Sequence, residues 1–196
     1  MGLFDKKTCD ICGEKSGLLG NRKLEDGNMC SSCAKKLSPF TTDRRKTTLI
    51  DIKAHLAYRE TNKADVAAFN VTGSFGDRNQ LLIDANAGKF IVTSSKNWQN
   101  DNPDVINISQ ITNCSTNTSE RKTEIMRKDK DGKMVSYSPR QYKYEYDFYV
   151  TINVNSPFFD EIKFKLNTII VDANSGDYMN YERQFDKIRQ ALSPVR

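Results

Sequence analysis

Four of the chain's five cysteines fall within its first 33 residues, as Cys9-x-x-Cys12 and Cys30-x-x-Cys33 with 17 residues between the pairs. Thiolates are soft ligands. Each short knuckle can aim two of them at one point, and the intervening stretch is long enough for a β-hairpin that brings the second knuckle to the first. The chemistry this spacing fits best is a tetrahedral four-thiolate zinc site. With every ligand a thiolate, no position stays open for water or substrate, so the expectation is one Zn²⁺ in a structural role. Three other uses of the cysteines compete. Disulfides suit an oxidising compartment. A thioredoxin-type redox pair wants a single C-x-x-C in a βαβ context. An iron–sulfur cluster also takes four thiolates, usually at other spacings.

The residues around the cysteines supply the positioning elements. Gly13 follows the first pair, where a tight knuckle needs φ > 0. Leu18, Leu19 and Leu24 offer a hairpin its small apolar face, and Asp26-Gly27 is a turn signal before the second pair. Cys30 to Leu37 reads as the first turns of a helix that stops before Pro39. A finger of about 35 residues cannot bury enough apolar surface to fold alone, so metal binding would supply the missing folding free energy.

At 196 residues the chain has room for one further domain of ordinary size, and 37% hydrophobic with 28% charged residues suits modest cores in water. No run approaches the ~18 apolar residues of a membrane span. The opening MGLFDKK has Lys6 where a myristoylation signal wants Ser or Thr, and no apolar stretch follows it. The expected location is cytoplasmic, where thiols stay reduced. Net charge is +5. Residues 1–63 hold 13 Lys/Arg against 8 Asp/Glu, and residues 64–196 hold 17 of each. The excess is therefore N-terminal and mild, unlike the dense stripe of a typical nucleic-acid binder.

Residues 38–46 read as a hinge with a basic run. Thr48 and Asp51 have capping-box spacing, and Leu49, Ile52 and Leu56 fall at helical intervals, which predicts a helix over about 48–61. His55, the only histidine, lies in that helix with no second ligand beside it. From about residue 66 the period becomes two. Leu81 and Ile83, a turn at 86–88, then Phe90 and Val92 make a hairpin; Val105 to Ile111 makes a further strand; a charged hairpin turns at Asp131-Gly132. In the stretch from Tyr142 to Val154, Tyr142, Tyr144, Tyr146, Phe148, Val150, Ile152 and Val154 share one face. Ile162, Phe164 and Leu166 alternate after a turn. Tyr178, Tyr181, Phe185, Ile188 and Leu192 form the stripe of a last helix, with Asp177 near its start and Pro194 past its end. Cys114 alternates with apolar residues and reads as a small semi-buried side chain.

The fold class is thus α+β: a small treble-clef or zinc-ribbon-like finger over 1–40, a hinge and linker helix over 41–63, and over 64–196 an antiparallel β-domain closed by a C-terminal helix, the outline of a pleckstrin-homology-like (PH-like) barrel. The segments "LFDKKTCDICG", "CSSCAKKLSPF" and "YKYEYDFYVTINVNSPFFDEIKFKLN" resemble a bacterial family that begins with a cysteine finger, domain of unknown function 4428. The resemblance covers most of the chain except the middle hairpins. It implies zinc ligation by Cys9, Cys12, Cys30 and Cys33 and a PH-like β-domain, and it implies no activity.

No G-x-S-x-G, phosphate loop or G-x-G-x-x-G is present, and one histidine leaves general acid–base chemistry mainly to carboxylates on exposed faces. A non-catalytic adaptor for a protein partner is the expected function. Tyr149, set among charged and amide side chains on the outer strand face, is the candidate anchor. The alternative is a nucleic-acid-binding zinc ribbon using Lys35, Lys36, Arg44 and Arg45. Few aromatics lie nearby to stack on bases. The electrical neutrality of 64–196 argues against a lipid partner.

Overall fold

A computed structural model describes residues 8–15, 20–42 and 46–193. The expectations placed on Leu18, Leu19, Arg44, Arg45 and Pro194 lie outside the described residues. The N-terminal unit is a short hairpin, β1 (Asn21–Lys23) with β2 (Asn28–Cys30), running into the one-turn helix α1 (Ser31–Ala34). Leu24 and Met29 fill its centre with the buried cysteines and Leu37.

Helix α2 (Leu49–Ala68) opens on the capping box expected from its sequence. Thr48 Oγ1 accepts from the Asp51 N–H at 3.2 Å, and the Asp51 carboxylate accepts from the Thr48 N–H at 3.0 Å. The helix runs seven residues past the expected end at 61. Its buried stripe is Ile52, His55, Arg59, Asn62 and Val66, spaced 3, 4, 3, 4. Three of those five are polar, so an apolar pattern fades after Leu56 although the buried face continues. Ile52, with Leu49 and Leu56, packs on the finger core, whereas Val66 packs on Leu82, Ile91 and Val105 of the β-body. One helix therefore serves two cores.

The β-body contains two antiparallel sheets. The first is β3 (Gly73–Phe75), β4 (Gln80–Asp84), β5 (Lys89–Thr93) and β6 (Ile106–Asn107) in that order. The four-residue helix α3 (Trp98–Asp101) lies between β5 and β6. The second sheet is built on β8 (Met134–Val154), flanked on one side by β7 (Ile111–Lys128) and on the other by β9 (Glu161–Lys165) and β10 (Val171–Asp172). Helix α4 (Gly176–Ala191) closes the body, burying Tyr181, Phe185 and Ile188 as its stripe requires. Leu81, Phe90, Phe148, Val150, Ile152, Ile162 and Leu166 sit between the two sheets and this helix.

The expected inward face of β8 is only half in the core. Phe148, Val150, Ile152 and Val154 are buried, but Tyr142, Tyr144 and Tyr146 are only partly covered. The reason is length. The tyrosine stretch and the second arm of the charged hairpin before it are one 21-residue strand, and its first half passes beyond the reach of β9 and β10, with β7 alone beside it.

The segment read as a hinge is anchored at its start. Ser38 is wholly buried, and the Phe40 ring lies 5.6 Å from that of Phe159.

Candidate metal centre

Cys9 and Cys12 sit on a knuckle held by two short hydrogen bonds, from the Cys9 N–H to the Glu14 carbonyl and from the Gly13 N–H to the Cys9 carbonyl, each 2.8 Å. Gly13 has φ +76°, the left-handed conformation that the tight knuckle required. The knuckle is tied to the hairpin by Asp10. Its N–H donates to the Asn28 carbonyl at 2.9 Å, and its Oδ2 accepts from the Asn28 N–H at 2.7 Å. Cys30 ends β2 and caps α1, its Sγ accepting from the Cys33 N–H at 3.4 Å. The first turn of α1 then carries Cys33 to the same point.

The four Sγ atoms all lie within 4.8 Å of one another. Cys9 and Cys33 are 4.0 Å apart, and Cys12 and Cys30 are 3.7 Å apart. Four sulfurs at the usual Zn–S length of ~2.3 Å stand about 3.8 Å from each other at the corners of a tetrahedron. A disulfide needs ~2.05 Å, and all four thiols are free. Cys9, Cys30 and Cys33 are buried, and Cys12 closes the exposed side. The four cysteines therefore form a site with the geometry and ligand softness that suit a zinc ion.

Electrostatics are uneven across the cage. Burial works to raise Cys9, but N–H groups of Cys12, Cys30 and Ile11 outweigh it and bring the thiol down to about 6. The Cys30 N–H reaches the Cys9 sulfur at 3.2 Å. Burial pushes Cys33 well up, and its crowding by Cys12, Cys30 and Cys9 adds to that. Several thiols this close cannot all ionise without a cation among them.

Cys114 stands apart on β7, half-buried, and burial raises its thiol. His55 is engaged elsewhere. Its Nε2 accepts from the Ser38 N–H at 3.2 Å, and its ring stacks on Phe158 at 4.4 Å. Lys35 and Lys36 are exposed just after α1. Tyr149 lies on the wall of a cleft of about 630 Å³ between the finger's exit and the β-body, facing Pro39, Phe40, Val92, Phe164 and Lys163.

A buried polar network joins finger, helix and body, and sequence reasoning missed it. Arg59 Nη1 meets Asp104 Oδ1 at 2.7 Å, while its Nε donates to the Lys36 carbonyl at 3.2 Å and its Nη2 to the Asn102 carbonyl. The Ser38 hydroxyl donates to Asp104 Oδ2 at 2.8 Å. Asn62 donates to the Pro103 carbonyl at 2.7 Å and accepts from the Val105 N–H at 2.9 Å. The one available signal was the spacing of His55, Arg59 and Asn62 in register with Ile52.

Site and fold together define a finger whose four clustered cysteines could hold a metal ion, a shared helix and an antiparallel β-body. Residues 8–55, about a quarter of the chain, match the family model described as Domain of unknown function (DUF4428). That stretch spans all four cysteines and ends inside α2. No curated protein and no solved structure matches the chain.

Proposed function

We propose that the chain is a non-catalytic cytoplasmic adaptor. One structural Zn²⁺ on Cys9, Cys12, Cys30 and Cys33 stiffens a treble-clef or zinc-ribbon-like finger, and a PH-like β-body docks a protein partner. Two antiparallel sheets closed by α4 support the PH-like outline. Among the described residues, no helix is long and apolar enough to cross a membrane.

The observation that carries this reading is the cleft. It joins an aromatic wall, Phe40 and Tyr149, to apolar Val92 and Phe164, with Ser94, Ser95 and Lys163 among its polar groups. Tyrosine offers large contact area with a polar tip, which suits an anchor for a peptide segment. The cleft's Asp104 is taken up by Arg59 and Ser38, so that carboxylate serves cohesion rather than proton transfer.

The test is capture from the native cell after nuclease treatment, with a photo-crosslinking residue in place of Tyr149. The expected adduct is one protein, and Tyr149→Ala should weaken its capture by more than the ~1 kcal/mol that separates hot spots from neutral contacts. Adducts confined to nucleic acid would contradict the reading, as would none at all.

A further inference from the structure

The even charge of residues 64–196 conceals a separation. Beyond the Glu145 pair with β10, no third strand joins β7 and β8 among the described residues. From Thr123↔Lys143 to Lys128↔Met134 the two strands form a free ribbon of about 20 Å at ~3.3 Å per residue, with a shift of register between Ile125 and Met126. Residues 121–143 hold eight Lys/Arg and three Asp/Glu, a net +5, whereas the remainder of 64–196 holds nine and fourteen, a net −5. All eight cations are exposed. Arg140 approaches Glu124 at 3.8 Å and Lys143 approaches Glu145 at 2.5 Å; among the described residues the other six meet no acid at ion-pair distance.

The cations cover the ribbon along its sides and at its tip. Arg121 and Lys122 on β7 and Arg140 and Lys143 on β8 lie along its sides, while Arg127 and Lys128 end β7 and Lys130 and Lys133 lie in and beside the turn. The acids Asp129 and Asp131 occupy the turn, where Asp129 Oδ1 accepts from the N–H groups of Asp131 and Lys133, each at 2.9 Å. An arm made to enter a bilayer by its tip would carry apolar residues there. Here the exposed Ile125, Met126 and Met134 sit behind the turn, on the flanks. Charge spread lengthwise on a narrow, two-stranded element fits a long linear polyanion. A two-stranded ribbon enters the ~12 Å major groove of B-form DNA, while the deep, narrow major groove of duplex RNA excludes it.

We propose that the β7–β8 arm is a binding element for duplex DNA, laid along the groove with its cations on the flanking phosphates. The acidic body keeps the rest of the β-domain off the duplex. The arm is separate from the Tyr149 cleft, so the two sites stand or fall independently.

The experiment uses the full zinc-loaded chain and a mixed-sequence 20-base-pair DNA duplex, followed by fluorescence anisotropy from 50 to 200 mM salt. A variant with Arg127, Lys128, Lys130 and Lys133 all changed to Ala should lose at least tenfold in affinity at 50 mM salt. Its slope of log affinity against log salt should flatten by about 3.6, near 0.9 for each of the four phosphates no longer neutralised. Its unfolding midpoint should match the parent's, since these side chains are exposed. Lys35→Ala with Lys36→Ala, and separately Tyr149→Ala, should bind DNA like the parent. The proposal is overturned if the parent does not bind the duplex at 50 mM salt. It is overturned equally if only the Lys35/Lys36 variant loses binding, or if phosphatidylserine vesicles bind the parent while the duplex does not.

Discussion

Arg59 on helix α2 and Asp104 ahead of β6 form an ion pair at 2.7 Å, with side chains 10% and 0% exposed. The pair links the finger to the β-body, because Arg59 also holds the Lys36 carbonyl and Asp104 also holds Ser38. Removing one partner leaves a buried charge without compensation. Arg59→Ala is expected to cost about 3–5 kcal/mol in chemical denaturation, whereas replacing both partners with well-packed apolar residues should cost far less. Equal losses from the single and double changes would show that the packing around the pair, not its charge, is what matters.

The cysteine cage was legible in the sequence because coordination demands one residue type at fixed spacing. The strands of the core were legible because Phe148 to Val154 and Ile162 to Leu166 alternate between oil and water. The seam between finger and body was hidden. Its members on α2 are polar, and Asp104 lies 45 residues from its partner. The arm was hidden for the opposite reason. Both its faces meet water, so alternation in that stretch could not show where the core stops or that two apparent elements are one strand.

Asp84, buried at the end of β4, accepts from the N–H groups of Asn70 at 2.9 Å and Ala87 at 3.0 Å, and these bonds hold its carboxyl below the usual carboxylate value. A folded value below the unfolded one means the bonds stabilise fully above about pH 4, and that this contribution is lost as pH falls through the folded value. The stability gap between the parent and Asp84→Asn should therefore shrink from pH 6 to pH 2.5 in denaturant titrations. A gap that stays constant would contradict this account of Asp84.

Gly76 and Gly132 both have positive φ, +86° and +79°, but differ in surroundings. A Cβ on Gly76 would lie 2.3 Å from the Asn79 carbonyl oxygen, whereas one on Gly132 meets nothing within 4 Å. Gly76→Ala should cost more than the roughly 1–2 kcal/mol of left-handed strain that Gly132→Ala incurs alone. Thermal unfolding of the two variants decides it, and equal shifts would mean the Gly76 turn can open at no cost.

The central claim is that Cys9, Cys12, Cys30 and Cys33 hold one zinc ion. Elemental analysis of protein purified without added metal, joined to X-ray absorption at the zinc edge, measures it directly. The expected result is one zinc per chain with four sulfurs at about 2.3 Å, reduced by Cys33→Ser and unchanged by Cys114→Ser. Protein with no zinc and both C-x-x-C pairs oxidised, or zinc retained in full by Cys33→Ser, would contradict it.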